Sequence, residues 1–520
     1  MFKKYFYYIT CFVLLIGIHS CKTGKQKVDI FIYNGEVYNG ESLTSEKVNI
    51  GITDEKIVYI GNRNHTEFVA DRMIDATGKI VCPGFIDPHT HADRELKKPE
   101  SSHNLPFLMQ GITTVVVGSD GQSFFPTSKF KTLYEAHGIG TNAVLMTGHG
   151  TLRKIVVGQS DRKASEEEIG NMQKLVQQEM DDGSFGLSTG LYYAPGSYSN
   201  TEEVIALAQV ATENDGIYDT HLRDEGSSSI GLESAVQEAI EIGRQAKLPI
   251  HISHIKCLGV DVWQKSQDII NLIEKSRAEG ISVSANQYPY DASATGLQSA
   301  VIPRWAESGG IDSLFIRYGQ PSLKEKILRE TKLNITRRGG PEKLLIVMVA
   351  DSSYLGKTLL EVASMLKKEP EAAVLDILQT GSVRVASFNM TKEDIRNYMQ
   401  QDWVVTGSDG NTGHPRKYGS FPRKYRKYVK EDKVIDLGFF INNSSSRTAD
   451  IFKIKNRCRL LEGNFADLII FDPENFTDKA DYTDAFQYAE GLNYSIINGK
   501  IAVDNGEYNK ALNGKVLSKK

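Results

Sequence analysis

The sequence predicts an α/β fold: a (β/α)₈ TIM-type barrel with a small β-sandwich domain built from both chain ends and an insert after strand seven. Three observations predict it. Between about residues 82 and 455, eight short apolar segments alternate with helix-patterned ones. Both ends of the chain carry short alternating segments broken by Asn-Gly and Gly-Asn. Residue types that ligate metals follow several of the eight segments, where a barrel would gather them on one rim.

The chain has 520 residues, enough for a large core and more than one domain, and its 61 basic and 65 acidic side chains give a net charge of −4. That balance implies neither a nucleic-acid partner nor an anionic membrane surface. At the N-terminus, Lys3 and Lys4 precede an apolar run from about Tyr5 to Ile18 that ends at Ser20-Cys21. Residues 1–20 read as a secretory signal, too short to span a bilayer comfortably. Because the run ends on a cysteine, it resembles the lipobox of bacterial lipoproteins, with Cys21 as the lipidated first residue and the only link to a membrane. A plain cleaved signal with a free Cys21 is the alternative. Either way the mature protein is expected outside the cytoplasm, as a periplasmic or cell-surface lipoprotein or in secreted form. Cys82, Cys257 and Cys458 remain in the body of the chain without framework spacing, so no disulfide scaffold is expected.

Residues 22–81 and 456–520 form the two parts of the expected sandwich, and 82–455 the barrel. Strand one is expected at about 81–87, followed by strands at 111–118, 141–148, 184–191, 216–221, 248–254, 281–288 and 403–409. Ser165 with Glu168 is a capping box, and Thr201-Glu202-Glu203 opens an apolar-periodic helix to about Thr212. Residues 300–342 exceed a normal loop and read as an inserted lid.

The stretch Gly84 to Asp93, G-F-I-D-P-H-T-H-A-D, places His89 and His91 at i and i+2, where both can reach one ion from an extended strand. Strand two delivers Asp120, strand three His149, strand five His221, strand six His254 and strand eight Asp409. His149 fits the pocket wall, contacting substrate or a turn, better than a metal. His251 precedes His254 by three, so on one strand only one of them can face inward; His254, nearer the end, is preferred. His65, His103 and His137 have no such placement. A divalent ion on this rim, most simply Zn²⁺, would lower the pKa of a bound water to about 7 and polarise a carbonyl. Asp409 could then move the water's proton to a leaving nitrogen. The chemistry is metal-assisted hydrolysis of an amide-like bond.

The motifs P-G-F-I-D-P-H-T-H-A-D, G-H-G-T-L-R, G-L-S-T-G-L-Y-Y-A-P-G, T-H-L-R-D-E-G, I-S-H-I-K-C, Y-P-Y-D-A, T-G-S-D-G, H-P-R-K-Y-G-S-F-P-R and G-N-F-A-D-L-I-I-F-D resemble, in order, those of the N-acyl-D-amino acid deacylases (D-aminoacylases) of the amidohydrolase superfamily. The resemblance spans about Val28 to Asn505. It implies zinc-dependent release of a carboxylate and a D-amino acid. His221 and His254 would hold the tighter zinc with a third ligand from strand two, and His89 and His91 a weaker second site. Asp409 would be the general acid/base. Arg416 would clamp the substrate carboxylate as a bidentate fork, with Lys256 and Tyr288 nearby. Apart from Arg416, the basic and aromatic run to Lys433 reads as a solvated face.

Two positions depart from the pattern. Asp120 stands where well-known members have a cysteine, keeping the charge while exchanging a soft ligand for a hard one. Ala294 stands where a serine is usual, which removes one hydrogen bond, worth about 1 kcal/mol, unless Ser293 or Thr295 replaces it. Cyclic-amide hydrolases of the hydantoinase and dihydroorotase kind are the enzymatic rival. They commonly carry a carboxylated lysine at the end of strand four, where this chain reads G-L-S-T-G-L. A non-catalytic surface binding protein on the same fold is the rival of a different class.

Overall fold

Eight parallel strands form the barrel: Phe85–Asp87, Ile112–Val117, Asn142–Leu145 continued by Thr147–Gly148, Gly186–Gly190, Ile217–His221, Ile250–Ile252, Val283–Gln287 and Val404–Thr406. The ring closes between strands eight and one through a Thr90–Gly410 bridge and the Asp409 amide, which donates to the His89 carbonyl at 3.0 Å. This computed structural model describes residues 25–519; the expected signal segment and Cys21 lie outside them. Among the described residues, no helix is long and apolar enough to cross a membrane.

Strand alternation explains where the core sits. Ile250 and Ile252 face outward into a cluster with Ile240, Ile270 and Ile273 of the surrounding helices, while His251 between them turns into the barrel. The Ser165–Glu168 capping box opens helix Glu166–Asp181, and helix Thr201–Glu213 starts after an Asn200 cap.

The expected first strand is in fact two. Ile80–Pro83 belongs to the sandwich and Phe85–Asp87 to the barrel. Between them, a Cβ on Gly84 would lie 2.2 Å from the Thr113 side chain, so only glycine lets the chain pass from one sheet to the next.

The sandwich combines a four-stranded sheet from residues 26–75 with a six-stranded one that mixes Glu36–Val37 and Ile80–Pro83 with four strands between Leu468 and Tyr508. Ile32, Ile50, Ile74, Val81, Leu468, Ile470 and Ile496 fill the space between the sheets. The alternate residues Cys82, Ile469 and Phe471 pack onto the barrel beside Phe85 and Phe440. The Asn498-Gly499 turn makes the expected hairpin, but Asn34-Gly35 does not: strand Gln26–Tyr33 pairs with Asn49–Thr53 and Phe68–Asp75, and the chain crosses to the other sheet after the turn. Beyond the sandwich, residues 514–517 lie along barrel strand three, where Leu517 donates to Ala143 O at 2.8 Å and Ala143 to Lys515 O at 2.9 Å.

The insert is larger than the expected 300–342. Its own antiparallel sheet pairs Ala292–Gly296 with Arg384–Phe388 and the latter with Leu344–Met348. Helices over this span enclose a separate core that includes Leu297, Leu314, Ile327, Ile346, Val374 and Val385. The two later apolar strands pair within the insert, Arg384–Phe388 with its first strand and Leu344–Met348 with Arg384–Phe388, rather than with the barrel, which spacing along the chain does not disclose. The basic run after Arg416 is likewise not a solvated face. Lys417 and Lys424 are buried with Arg416, and Tyr425 and Tyr428 pack into the core.

Candidate metal centre and active site

The rim at the C-terminal ends of the strands brings His89, His91, Asp120, His221, His254 and Asp409 together. Asp120 is at the middle of the group. Its Oδ1 lies 3.3 Å from His89 Nε2, 3.3 Å from His221 Nδ1 and 3.4 Å from His254 Nε2, and its Oδ2 lies 3.4 Å from His91 Nε2. Asp409 Oδ1 lies 3.3 Å from His91 Nε2. His89, Asp120, His254 and Asp409 each offer a ligand atom within 4.8 Å of the others. His89 is fully buried, and among the described residues neither of its ring nitrogens has a hydrogen-bond partner. A buried imidazole costs free energy in that condition, so this donor set of histidine nitrogens and carboxylates fits a divalent ion such as zinc.

Three of these residues are held in an unusual backbone conformation. Asp120 has φ 57°, His254 φ 35° and Asp409 φ 48°. Left-handed geometry is disfavoured for side chains with a Cβ, and its clustering at convergent polar groups is a mark of a functional site. It also explains the two inward histidines. The strand stops at Ile252, so the alternation rule does not reach His254, which turns to the rim. His251 fills the interior below, bonded to Ser284 and Asn286, and burial pushes its pKa down to about 3.

Burial alone would favour the neutral form of Asp120, but the facing His89 and His221 rings hold its carboxyl well below the usual range. For Asp409, burial again opposes ionisation, while the Arg416 guanidinium and the His254 ring outweigh it. Arg416 Nη2 lies 2.7 Å from Asp409 Oδ2 and donates to Ala294 O at 3.3 Å. Both forked edges of the guanidinium include Nη2, so the expected bidentate clamp is already engaged on one nitrogen. Nε and Nη1 are buried and have no partner among the described residues.

Lys256 and Tyr288 join Arg416 in one wall. The Arg416 guanidinium lies 4.6 Å from the Tyr288 ring centroid and Lys256 Nζ 5.7 Å from it; the Tyr288 hydroxyl has no partner. Ser293, Ala294 and Thr295 line the same cavity of about 550 Å³, which runs from Asp409 and His221 past Tyr193 to the insert.

His149 is not part of this wall. Its Nε2 bonds Glu203 at 2.8 Å, and Arg153 bonds the other oxygen of Glu203 at 2.5 Å, so it belongs to a buried structural network. His65, His103 and His137 lie away from the rim, against Tyr33, Tyr508 and the Leu96 carbonyl.

Sequence reasoning missed Glu225. It stands 3.0 Å from His254 Nδ1, 3.6 Å from His221 Nε2 and 2.5 Å from Lys256 Nζ, on the side of both rings away from Asp120. Lys256 Nζ also contacts His254 Nδ1 at 2.7 Å, so an ammonium already fills the place where Glu225 could otherwise hold a cation. Glu225 is therefore an outer carboxylate that fixes the His254 ring, while His221 Nε2 lies beyond hydrogen-bond reach of it. The i, i+4 spacing from His221 in T-H-L-R-D-E was its only trace in the sequence.

The Amidohydrolase family model matches residues 72–503. A D-aminoacylase of Alcaligenes xylosoxydans xylosoxydans is 28% identical over 506 residues, 92% of this chain and 95% of the relative. A solved D-aminoacylase with a binuclear metal centre superposes with a TM-score of 0.82 at 27% identity, covering 95% of this chain and all of that one. The N-acyl-D-glutamate deacylase of Bordetella bronchiseptica, solved with zinc and a phosphonate mimic of the tetrahedral intermediate, gives 0.81 at 25% identity, with the same coverage.

Proposed function

The chain belongs to the amidohydrolase family, and from that premise we propose that it hydrolyses the amide bond of N-acyl-D-amino acids, releasing a carboxylate and a D-amino acid. One observation carries the reading: Asp409 touches both the histidine centre, through His91, and the anion-binding wall, through Arg416. A group so placed can serve the scissile bond of a substrate whose carboxylate is anchored next to it. The D configuration rests on the likeness to the deacylases.

His221, His254 and Asp120 would hold a first zinc, and His89 and His91, sharing Asp120, a second. When bound, zinc supplies a Lewis acid that polarises the amide carbonyl and makes a water more acidic. The remaining work falls to the chain's own groups. Asp409 is ionised across the neutral range and accepts the attacking water's proton, then returns it to the leaving nitrogen, so that amide and water become acid and amine. The substrate carboxylate takes the free Nε or Nη1 of Arg416, with Lys256 and the Tyr288 hydroxyl completing the anchor. Tyr193, 4.8 Å from the His221 ring, lines the cavity beside the histidine centre.

A zinc-reconstituted assay with N-acetyl-D-amino acids, N-acetyl-L-amino acids and hydantoins tests the reading. Turnover of the D series alone is expected; hydantoin turnover would favour a cyclic-amide hydrolase, and no turnover a binding protein. Strand four, Gly186–Gly190, presents no lysine, which speaks against the cyclic-amide reading. Metal analysis of Asp120→Ala checks the hard ligand: unchanged zinc content with full activity removes Asp120 from the centre. We infer also that the mature protein works outside the cytoplasm, tethered through a lipid on Cys21. Labelled palmitate should mark the wild type and not Cys21→Ser; equal labelling of both refutes the tether.

A further inference from the structure

The outer supports of His221 and His254 are unequal. His254 Nδ1 contacts Lys256 Nζ at 2.7 Å and Glu225 at 3.0 Å, whereas His221 Nε2 has no hydrogen-bond partner among the described residues, Glu225 standing 3.6 Å away. A ligand imidazole is ordinarily oriented through its far nitrogen, so something else must fix this ring. The Tyr192 ring stacks on it, 5.6 Å between centroids and tilted by 28°, while Tyr193 and His254 meet it edge-on at 4.8 Å and 4.5 Å. Offset stacking at that separation is attractive and selects the plane of the ring.

Tyr192 is held by the insert. It follows barrel strand Gly186–Gly190 by two positions, yet three separate parts of the insert bond its polar groups. The hydroxyl donates to the Ser299 carbonyl at 2.9 Å, in helix Leu297–Val301, and accepts from Arg338 Nη2 at 3.0 Å, at the end of helix Pro321–Arg337. Arg304 Nε donates to the Tyr192 carbonyl at 2.8 Å, and its guanidinium lies over the ring, 4.3 Å from the centroid. The hydroxyl thus uses both its donor and an acceptor site, and two of its residue's partners are cationic, which makes the contacts directional and strong. Arg338 is buried, and Arg304 is fixed in turn by Glu307. Because the insert has a hydrophobic core of its own, Tyr192 joins a rigid subdomain to a ring of the metal rim.

We infer that Tyr192 is a positioning residue for His221, and that the insert, through Ser299, Arg304 and Arg338, sets the orientation of that ring at the metal centre. The insert is then a structural part of the zinc site as well as a wall of the cavity. This rests on His221 being a zinc ligand, as in the function proposed above, and not on the identity of the substrate. Tyr192 and Arg338 also line the cavity, and a role confined to lining would act on substrate binding instead of on the metal.

The mature protein and its variants Tyr192→Leu, Tyr192→Phe and Arg338→Met are compared by competition for zinc with a chelator, by the visible spectrum after cobalt substitution, and by kcat and KM for N-acetyl-D-leucine. Tyr192→Leu removes the stack and should weaken zinc by about 10–100-fold, with a shifted cobalt spectrum. Tyr192→Phe keeps the ring but cuts its hydroxyl from the insert, and should weaken zinc by about three- to tenfold. Arg338→Met should weaken it no further than Tyr192→Phe, and the double variant should match Tyr192→Phe, because the guanidinium acts through the hydroxyl. In Tyr192→Phe, kcat should fall by about threefold or more with KM within about twofold. Zinc affinity and cobalt spectrum unchanged in Tyr192→Leu, or a change in KM alone, overturns the inference; so does a wild type that holds no zinc. Zinc weakened in Tyr192→Leu but held in full by Tyr192→Phe and Arg338→Met refutes the brace from the insert. If Tyr192→Leu does not fold, Tyr192→Phe, which keeps the ring's volume, decides. If no N-acyl-D-amino acid is turned over, the deacylase reading fails by itself, and the chelator and cobalt measurements still judge Tyr192.

Discussion

Two pairs of histidines face Asp120, and they differ in what stands behind them. The far nitrogen of His254 meets Glu225 at 3.0 Å and Lys256 at 2.7 Å, and the same carboxylate stands 3.6 Å from His221 Nε2, near enough to act on its charge but not to bond it. Among the described residues, the far nitrogen of His89 has no hydrogen-bond partner, and His91 is steadied by Asp120 and Asp409 on the metal side. The four imidazoles are chemically alike as ligands, so affinity must be set by the outer groups that orient the rings and raise their basicity. On the function proposed above, the pair with His254 is expected to be the better metal site and the bare pair the more exchangeable one.

That contrast can be broken in four ways, from the largest expected effect to the smallest. Removing a ring of the supported pair in His254→Ala should abolish tightly held zinc and lower kcat/KM by about 1,000-fold or more, because the ligand and its strained turn go together; metal retained through dialysis would refute the assignment. Glu225→Gln keeps every ligand but loosens the His254 ring and removes a negative charge beside His221, and competition with a chelator should show zinc affinity reduced by about 10–100-fold. His91→Ala touches only the bare pair. Its metal content should fall toward one ion per chain with an activity change below about tenfold, and a loss as deep as that of His254→Ala would erase the distinction.

The last test leaves both pairs alone. Lys424 is fully buried, donates to Thr406 at 3.0 Å and faces no carboxylate among the described residues; burial pushes its pKa from 10.5 down to about 7. Between those values the unfolded chain binds a proton that the folded one does not, so stability falls as pH drops from above 10 to about 7 and then levels off. Lys424→Met should therefore raise stability by about 1–3 kcal/mol near pH 7, a gain that fades toward pH 11, with zinc content unchanged. A shift in metal affinity would mean that the buried cation acts on the centre.

Much of this was legible in the chain. Strand ends are local events, so the spacing of His89, His91, Asp120, His221, His254 and Asp409 behind apolar segments located the rim correctly. What failed was decided by partners distant in sequence. His149 looked like a pocket residue until Glu203 claimed it, 54 positions away. Lys417 and Lys424 read as solvent-facing because their charge gives no hint of the sheet and helices packed over them. The insert's limits were hidden because a strand's pairing partner is not encoded in its own pattern.

The sandwich and the stretch at 514–517 also set an order of events. Strand Ile80–Pro83 lies between Glu36–Val37 and Leu468–Phe471, and strand three of the barrel gains its outer partner only from residues 515–517. Neither can be completed while the ribosome is still making the middle of the chain. The molecule thus stays unlatched through most of its synthesis and closes late, by contacts of very long range that form slowly.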